Sequence, residues 1–211
     1  ALNNFMKAIP FILRYFKYIF TAKGKHSAQA PFLYNFITNV VNHNSDDENC
    51  KNIEGLRKEL CKSESTIKIT DFGAGSHVNN NKIRKVKDVA KNSAKNAKFG
   101  KLLYRIIQFY KPNNILELGT SLGISSLYLA KANQKSQVFT FEGCPETANV
   151  AEQSFKKLNA NNINITLGDF NKTLDSKLEE IKTIDLVFID GNHKEKPTIN
   201  YFEKCLKYSN N

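Results

Sequence analysis

Four acidic residues, Glu117, Glu142, Asp169 and Asp190, each stand at or near the end of a short apolar run. In a parallel sheet such runs are strands, and ligands bind in the crevice at their carboxyl ends. Between the first two acids, Gly119 and Gly123 bracket a tight turn, Gly-Thr-Ser-Leu-Gly. A missing Cβ there lets the backbone take unusual angles and lets a ligand approach closely. Glu142 falls 23 positions after Gly119, where an acid commonly accepts hydrogen bonds from the two hydroxyls of a ribose. The glycine spacing is GxxxG rather than GxGxxG, and no GKS or GKT follows. This disfavours dinucleotides and nucleoside triphosphates and favours another nucleoside-containing cofactor.

The elements that must hold these residues are legible downstream of Phe99. Residues Phe99 to Tyr110 form a strongly apolar helix that delivers the chain to a strand at Ile115–Leu118. After the glycine turn comes an amphipathic helix through Ala130, with Ser121 placed to cap it. Strands are expected at Gln137–Glu142, Ile163–Leu167 and Ile184–Asp190, and helices at Pro145–Leu158, Lys172–Ile181 and Pro197–Tyr208. Strands alternating with helices predict an α/β fold: a Rossmann-like parallel sheet with flanking helices.

Upstream, the pattern changes. Residues 1 to 111 carry 20 Lys+Arg against 8 Asp+Glu, net +12, and residues 112 to 211 carry 11 against 12, net −1, which together give the net charge of +11. Such an asymmetry suits nucleic acid, a membrane surface or an acidic substrate, and equally a lysine-rich solvated surface. Ala8 to Phe20 is too short and too interrupted by Arg14 and Lys17 to cross a bilayer, and reads as an amphipathic helix for packing, a second subunit or a membrane interface. Helices are expected at PFLYNFITNVVN and IEGLRKELCKSES, with a loop at HNSDDENCKN. Cys50, Cys61, Cys144 and Cys205 show no CxxC spacing, as for free thiols in a reducing cytoplasm. The DFGAGS segment spells the kinase magnesium triplet without the other kinase motifs, so that role is discarded. The stretch after it shows no apolar face to pack under a sheet. Asp71, Gly73, Gly75 and His77 are therefore left to a glycine loop outside the sheet, either a plain turn or a substrate-side loop.

The ordered set ELGTSLG, FEG, GDF and FIDGNH at successive strand ends resembles the class I S-adenosylmethionine-dependent methyltransferases, closest to the catechol-like small-molecule O-methyltransferase branch. The resemblance covers roughly Phe99 to Tyr208, and KGKHSAQAPFLYNFIT with ITDFGAGS resembles a bacterial subgroup. It implies S-adenosylmethionine as cofactor, with Glu117, Gly119, Ser121 and Gly123 at its methionine end. Glu142 would hold the ribose, Gly143 and Cys144 would border the adenosine, and Asp169 with Phe170 would flank the adenine. Asp190 would lie nearest the reacting methyl. Since that methyl arrives activated, the protein has only to align a nucleophile and, for a hydroxyl, remove its proton. Asp190 and His193 are the base candidates, His193 alternatively orienting Asp190 or capping the last helix. The catechol-like branch also implies Mg²⁺ at Asp190, although this stretch offers one convincing carboxylate and Mg²⁺ wants several oxygens.

The expected division is a basic, mainly helical region over 1–98, serving as substrate lid or homodimer contact, and a Rossmann-like cofactor domain over 99–211. The leading expectation is a methyltransferase acting on a small molecule, with a nucleic-acid methyltransferase or a non-catalytic binding module as alternatives. A complete fold of the family continues after the helix at Tyr208. The resemblance therefore implies a sheet cut after its fourth strand, an unpaired apolar edge unless another subunit covers it, and a chain that can be inactive alone.

Overall fold

The structure, a computed structural model, describes residues 13–18, 20–21, 30–43, 47–70, 83–93 and 96–210. Asp71, Gly73, Gly75 and His77 of the DFGAGS segment lie outside the described residues. Two compact units divide the chain, 1–43 and 44–211. In the first, residues 13–18 are helical, and α1 (Pro31–Phe36) runs into a π-helical turn at Ile37–Val41. Proline opens α1, where its fixed φ and missing N–H cost nothing.

The second unit is built on a parallel sheet of β3 (Asn114–Leu118), β4 (Gln137–Glu142), β5 (Ile163–Leu167) and β6 (Leu186–Ile189), in the order β5-β4-β3-β6. From β3 the chain moves outward to β5, then returns to place β6 on the other side of β3, aligned Leu116 to Val187 and Leu118 to Ile189. That reversal puts the carboxyl ends of β3 and β6 side by side at a topological switch point, where such sheets hold ligands.

The alternation of β3 explains both layers. Leu116 and Leu118 face a cluster with Phe141 of β4 and with Leu174, Leu178, Tyr201 and Cys205, contributed by α7 (Phe170–Ile181) and α8 (Glu195–Leu206). Ile115 faces the other way, toward Ile107 of α4 (Ala97–Tyr110) and Leu129 and Ala130 of α5 (Ile124–Ala132). Outside α5 lie α2 (Glu48–Leu60), through Cys50, Ile53 and Leu56, and α6 (Pro145–Lys157), through Ala151 and Phe155.

Three expectations are corrected. The helix around α5 is not amphipathic: residues Ile124 to Ala130 are all buried, because the sheet covers one side and α2 and α4 the other. Helix α2 begins within the stretch read as a loop, because the Asp47 side chain accepts the Asn49 N–H and caps it. The segment after DFGAGS does have an apolar face. It forms β2 (Ile83–Lys85), antiparallel to β1 (Thr66–Lys68), and then α3 (Val86–Ser93), whose Val86, Val89 and Ala90 are buried with Ile67 and Leu122. The strand pair does lie outside the parallel sheet.

Strand β6 is hydrogen-bonded along its length to β3. On its other side, among the described residues, Ile184 makes a parallel bridge with Ser209. No described helix is long and apolar enough to cross a membrane.

Candidate functional site

The glycine turn is shaped by two left-handed glycines. Gly119 has φ +109 and Gly123 has φ +83, angles that L side chains rarely adopt. A Cβ on Gly119 would lie 2.8 Å from the carbonyl oxygen of Asp190, so the turn and the β6 end can meet only with glycine there. The N–H groups of Gly119 and Thr120 both donate to the carbonyl of Phe141 on β4, at 3.1 and 3.0 Å. The turn is thus sewn to both neighbouring strands.

Ser121 does not cap α5. It takes a left-handed φ of 50, and the helix starts from Gly123 with no side-chain cap. The Ser121 N–H instead donates to Glu142 Oε2 at 2.8 Å, and the Cys144 N–H donates to Glu142 Oε1 at 2.9 Å. Glu142 is therefore held from both lips of the cleft. The N-cap residue of α5, Gly123, makes no side-chain cap to the first-turn amides, the kind of helix start that suits an anionic ligand group.

Glu117 lies beneath this surface. Its carboxylate is fully buried; Oε2 accepts from Thr140 Oγ1 at 2.6 Å and from the Ser126 hydroxyl, and Thr120 shares a 2.6 Å hydrogen bond with Thr140. Oε1 has no hydrogen-bond partner among the described residues. Burial pushes its pKa up to about 7, and the charge of Asp190 adds to the rise, against the hydroxyls of Ser125, Ser126 and Thr140. Glu117 was expected to line the cofactor; the structure puts it under the turn, joining β3, β4 and α5. These four hydroxyl residues were not singled out from sequence. Their signal is the pair Ser125 and Ser126 in an otherwise apolar helix, since buried hydroxyls need partners.

Asp169 accepts the Asn171 N–H at 2.9 Å and caps α7, which begins two residues earlier than expected. Phe170 is half-buried, edge-on to Phe141 and Tyr201 with ring centroids 6.2 and 5.8 Å away. The Gly168 N–H donates to the Glu142 carbonyl at 2.9 Å, bringing the β5 end beside the β4 end. Asp190 is half-buried, and its N–H donates to the Leu118 carbonyl at 2.9 Å, while His193 is exposed on the same loop. Gly143 is half-buried, and the Cys144 thiol points into a contact with β1: it accepts the Thr70 N–H at 3.4 Å and donates to the Lys68 carbonyl at 3.3 Å. The structure thus gathers all the expected residues at one sheet edge, with Glu117 and the Cys144 thiol turned to internal partners.

Residues 116–211 match a family model described as a methyltransferase domain. Over 113 residues the chain is 32% identical to a catechol O-methyltransferase of Niastella koreensis, covering 52% of this chain and 50% of that protein. The chain therefore spans half the length of the curated relative it matches. Among solved structures, an O-methyltransferase from Bacillus cereus in complex with SAH is similar with a TM-score of 0.55 at 20% identity, over 83% of this chain and 67% of that one. An O-methyltransferase from Streptomyces achromogenes in complex with SAM gives a TM-score of 0.54 at 23% identity, over 79% and 62%. At those identities the structures show the fold, Rossmann-like with a parallel four-stranded sheet. The family match and the curated relative carry the resemblance further: residues 116–211 are similar to a methyltransferase domain, and part of the chain to a catechol O-methyltransferase.

Proposed function

We propose that this chain binds S-adenosylmethionine at the carboxyl edge of β3, β4 and β5 and serves an O-methyltransferase acting on a small molecule. The observation that carries the reading is Glu142, whose two oxygens are gripped by the Ser121 and Cys144 amides from opposite sides. So held, the carboxylate is oriented in advance for the two hydroxyls of a ribose, and little ordering entropy remains to be lost on binding.

Around it, Gly119, Ser121 and Gly123 would receive the methionine end, the uncapped start of α5 suiting its carboxylate. The backbone of Gly143 and Cys144 would border the adenosine, and Asp169 with Phe170 the adenine. The cofactor supplies a methyl group already activated by its sulfonium. What remains for the protein is alignment and removal of the acceptor's proton. Asp190, half-buried against Gly119, takes that role in this proposal, with His193 on the same loop as the second candidate.

Magnesium at Asp190 finds no support in the donor set: among the described residues no three His, Cys, Asp or Glu side chains converge to hold a metal ion. No step is drawn through a metal. Residues 1–98 would act as substrate lid or homodimer contact, for which the exposed Tyr15, Phe16, Tyr18 and Phe32 offer apolar surface. A cytoplasmic setting belongs to the same proposal, supported by the four free thiols.

Calorimetric titration with S-adenosylmethionine tests the reading. Saturable binding with a thermal upshift is expected; no heat and no shift would leave only a scaffold that keeps the cofactor corner without using it.

A further inference from the structure

The two lips of the cleft are joined from outside by one small layer. On one side, Leu122, in the middle of the glycine turn, is buried with Ile67 of β1 and with Val86, Val89 and Ala90 of α3, and Ile69 and Val150 pack against them. On the other side, the tail of β1 is fastened to the loop between β4 and α6. The Lys68 N–H donates to Glu146 Oε2 at 2.5 Å, and the Cys144 thiol links to both Lys68 and Thr70. Two groups of one residue therefore divide the work: the Cys144 N–H holds Glu142, and the Cys144 thiol holds β1.

We propose that Cys144 is a positioning residue whose thiol makes β1, β2 and α3 a strap across the cleft, fixing the separation between the glycine turn and the β4–α6 loop. Without the strap, the amides of Ser121 and Cys144 would still be chemically able to hold Glu142, but beyond the Gly119 and Thr120 amides on the Phe141 carbonyl nothing outside the cleft would fix how far apart their segments sit. The cost falls on a ligand that must touch both lips. The apolar half of the strap sets where β1 lies, and the directional half, at Cys144 and Glu146, sets its register along the loop. This explains why a buried thiol, exposed by only 2%, stands next to a ligand-facing carboxylate without facing the ligand itself. The proposal rests on the reading that this cleft binds S-adenosylmethionine.

The test compares Cys144→Ala and Cys144→Ser in the whole chain. Cys205→Ala serves as control, since Cys205 is as buried as Cys144 but lies in the α7–α8 layer. Hydrogen exchange is followed in the ligand-free protein at the amides of Ser121, Cys144 and Thr70, and affinity for S-adenosylhomocysteine by calorimetry. The expected result is faster exchange at those amides in Cys144→Ala and affinity about fivefold weaker, the size of one modest hydrogen bond. Cys144→Ser, which keeps a donor and acceptor, restores both, and Cys205→Ala leaves both unchanged. Unaltered exchange in Cys144→Ala overturns the strap whatever the affinity, and so does a serine variant as impaired as the alanine one. If the wild-type chain binds no S-adenosylhomocysteine, the cofactor reading falls, and the exchange measurement still decides the strap.

Discussion

Glu117 and Glu142 are two carboxylates on neighbouring strands with opposite surroundings, and their tests differ accordingly. Glu142 accepts from two backbone amides at the sheet edge. Glu142→Ala should weaken S-adenosylmethionine binding by about tenfold or more, the range for hydrogen bonds to a charged group, and unchanged affinity in a titration would refute the ribose assignment. Glu117 is fully buried, with a pKa pushed up from 4.5 to about 7. In the folded protein it holds a proton that the unfolded chain releases above pH 4.5, so its contribution to stability is present below that pH and is lost as pH rises through about 7. Glu117→Gln keeps the neutral shape. Thermal unfolding between pH 5 and 8 should therefore show the wild type losing up to about 3 kcal/mol relative to the variant; parallel curves would mean that the buried acid is ionised throughout. Asp169 was expected to face the adenine and is found capping α7. Asp169→Ala should cost about 1 kcal/mol in a urea melt, while Asp169→Asn, a good cap, should cost little. Loss of cofactor affinity in the asparagine variant would assign it the ligand role in addition.

At the scale of elements, helix α5 shows how a strand-turn-helix motif is held in place. Gly100 of α4 is the closest approach: a Cβ there would fall 2.2 Å from the Tyr128 ring. That ring cannot easily yield, because the Tyr128 hydroxyl donates to Glu54 of α2 at 2.7 Å, and Glu54 also pairs with Arg57 at 2.8 Å. Gly100→Ala, which in an exposed helix would stabilise, should here destabilise by about 1–3 kcal/mol through overpacking. Denaturant unfolding decides it, and a variant more stable than wild type would show that Tyr128 moves freely. The strand and helix positions from β3 to α8 were readable from apolar runs and caps to within a few residues. Strand β6 is shorter than the expected Ile184–Asp190 because Ile184 pairs with Ser209 rather than with β3. Helix α5 was misread as amphipathic because periodicity reports exposure on one side, and an element covered on both sides has none to report.

Across the molecule, the basic excess is local. Residues 83–111 hold nine Lys or Arg against one acid, Asp88, for a net +8. Part of it is already spent within the protein, since Lys85 and Lys87 both pair with Glu64. Exposed pairs of this kind are weak and salt-sensitive. For a small-molecule enzyme, binding to RNA or DNA at moderate salt should be weak and without sequence preference. Tight binding whose affinity falls steeply with salt would instead favour a nucleic-acid acceptor.

What the sequence determined by itself is the order of the parts. Apolar runs ending in Glu117, Glu142, Asp169 and Asp190, with glycines at 119 and 123, are local patterns, and local patterns suffice to place strands, turns and the acids at their ends. What only the tertiary structure decided is which way each side chain is used. Whether Glu117 meets ligand or core, whether Ser121 caps a helix or holds Glu142, and whether Cys144 presents its amide or its thiol depend on neighbours 21 to 76 positions away in the chain. Those neighbours meet only when β4 pairs beside β3 and β1 is drawn onto the β4–α6 loop, and no spacing along the chain encodes their separation in space.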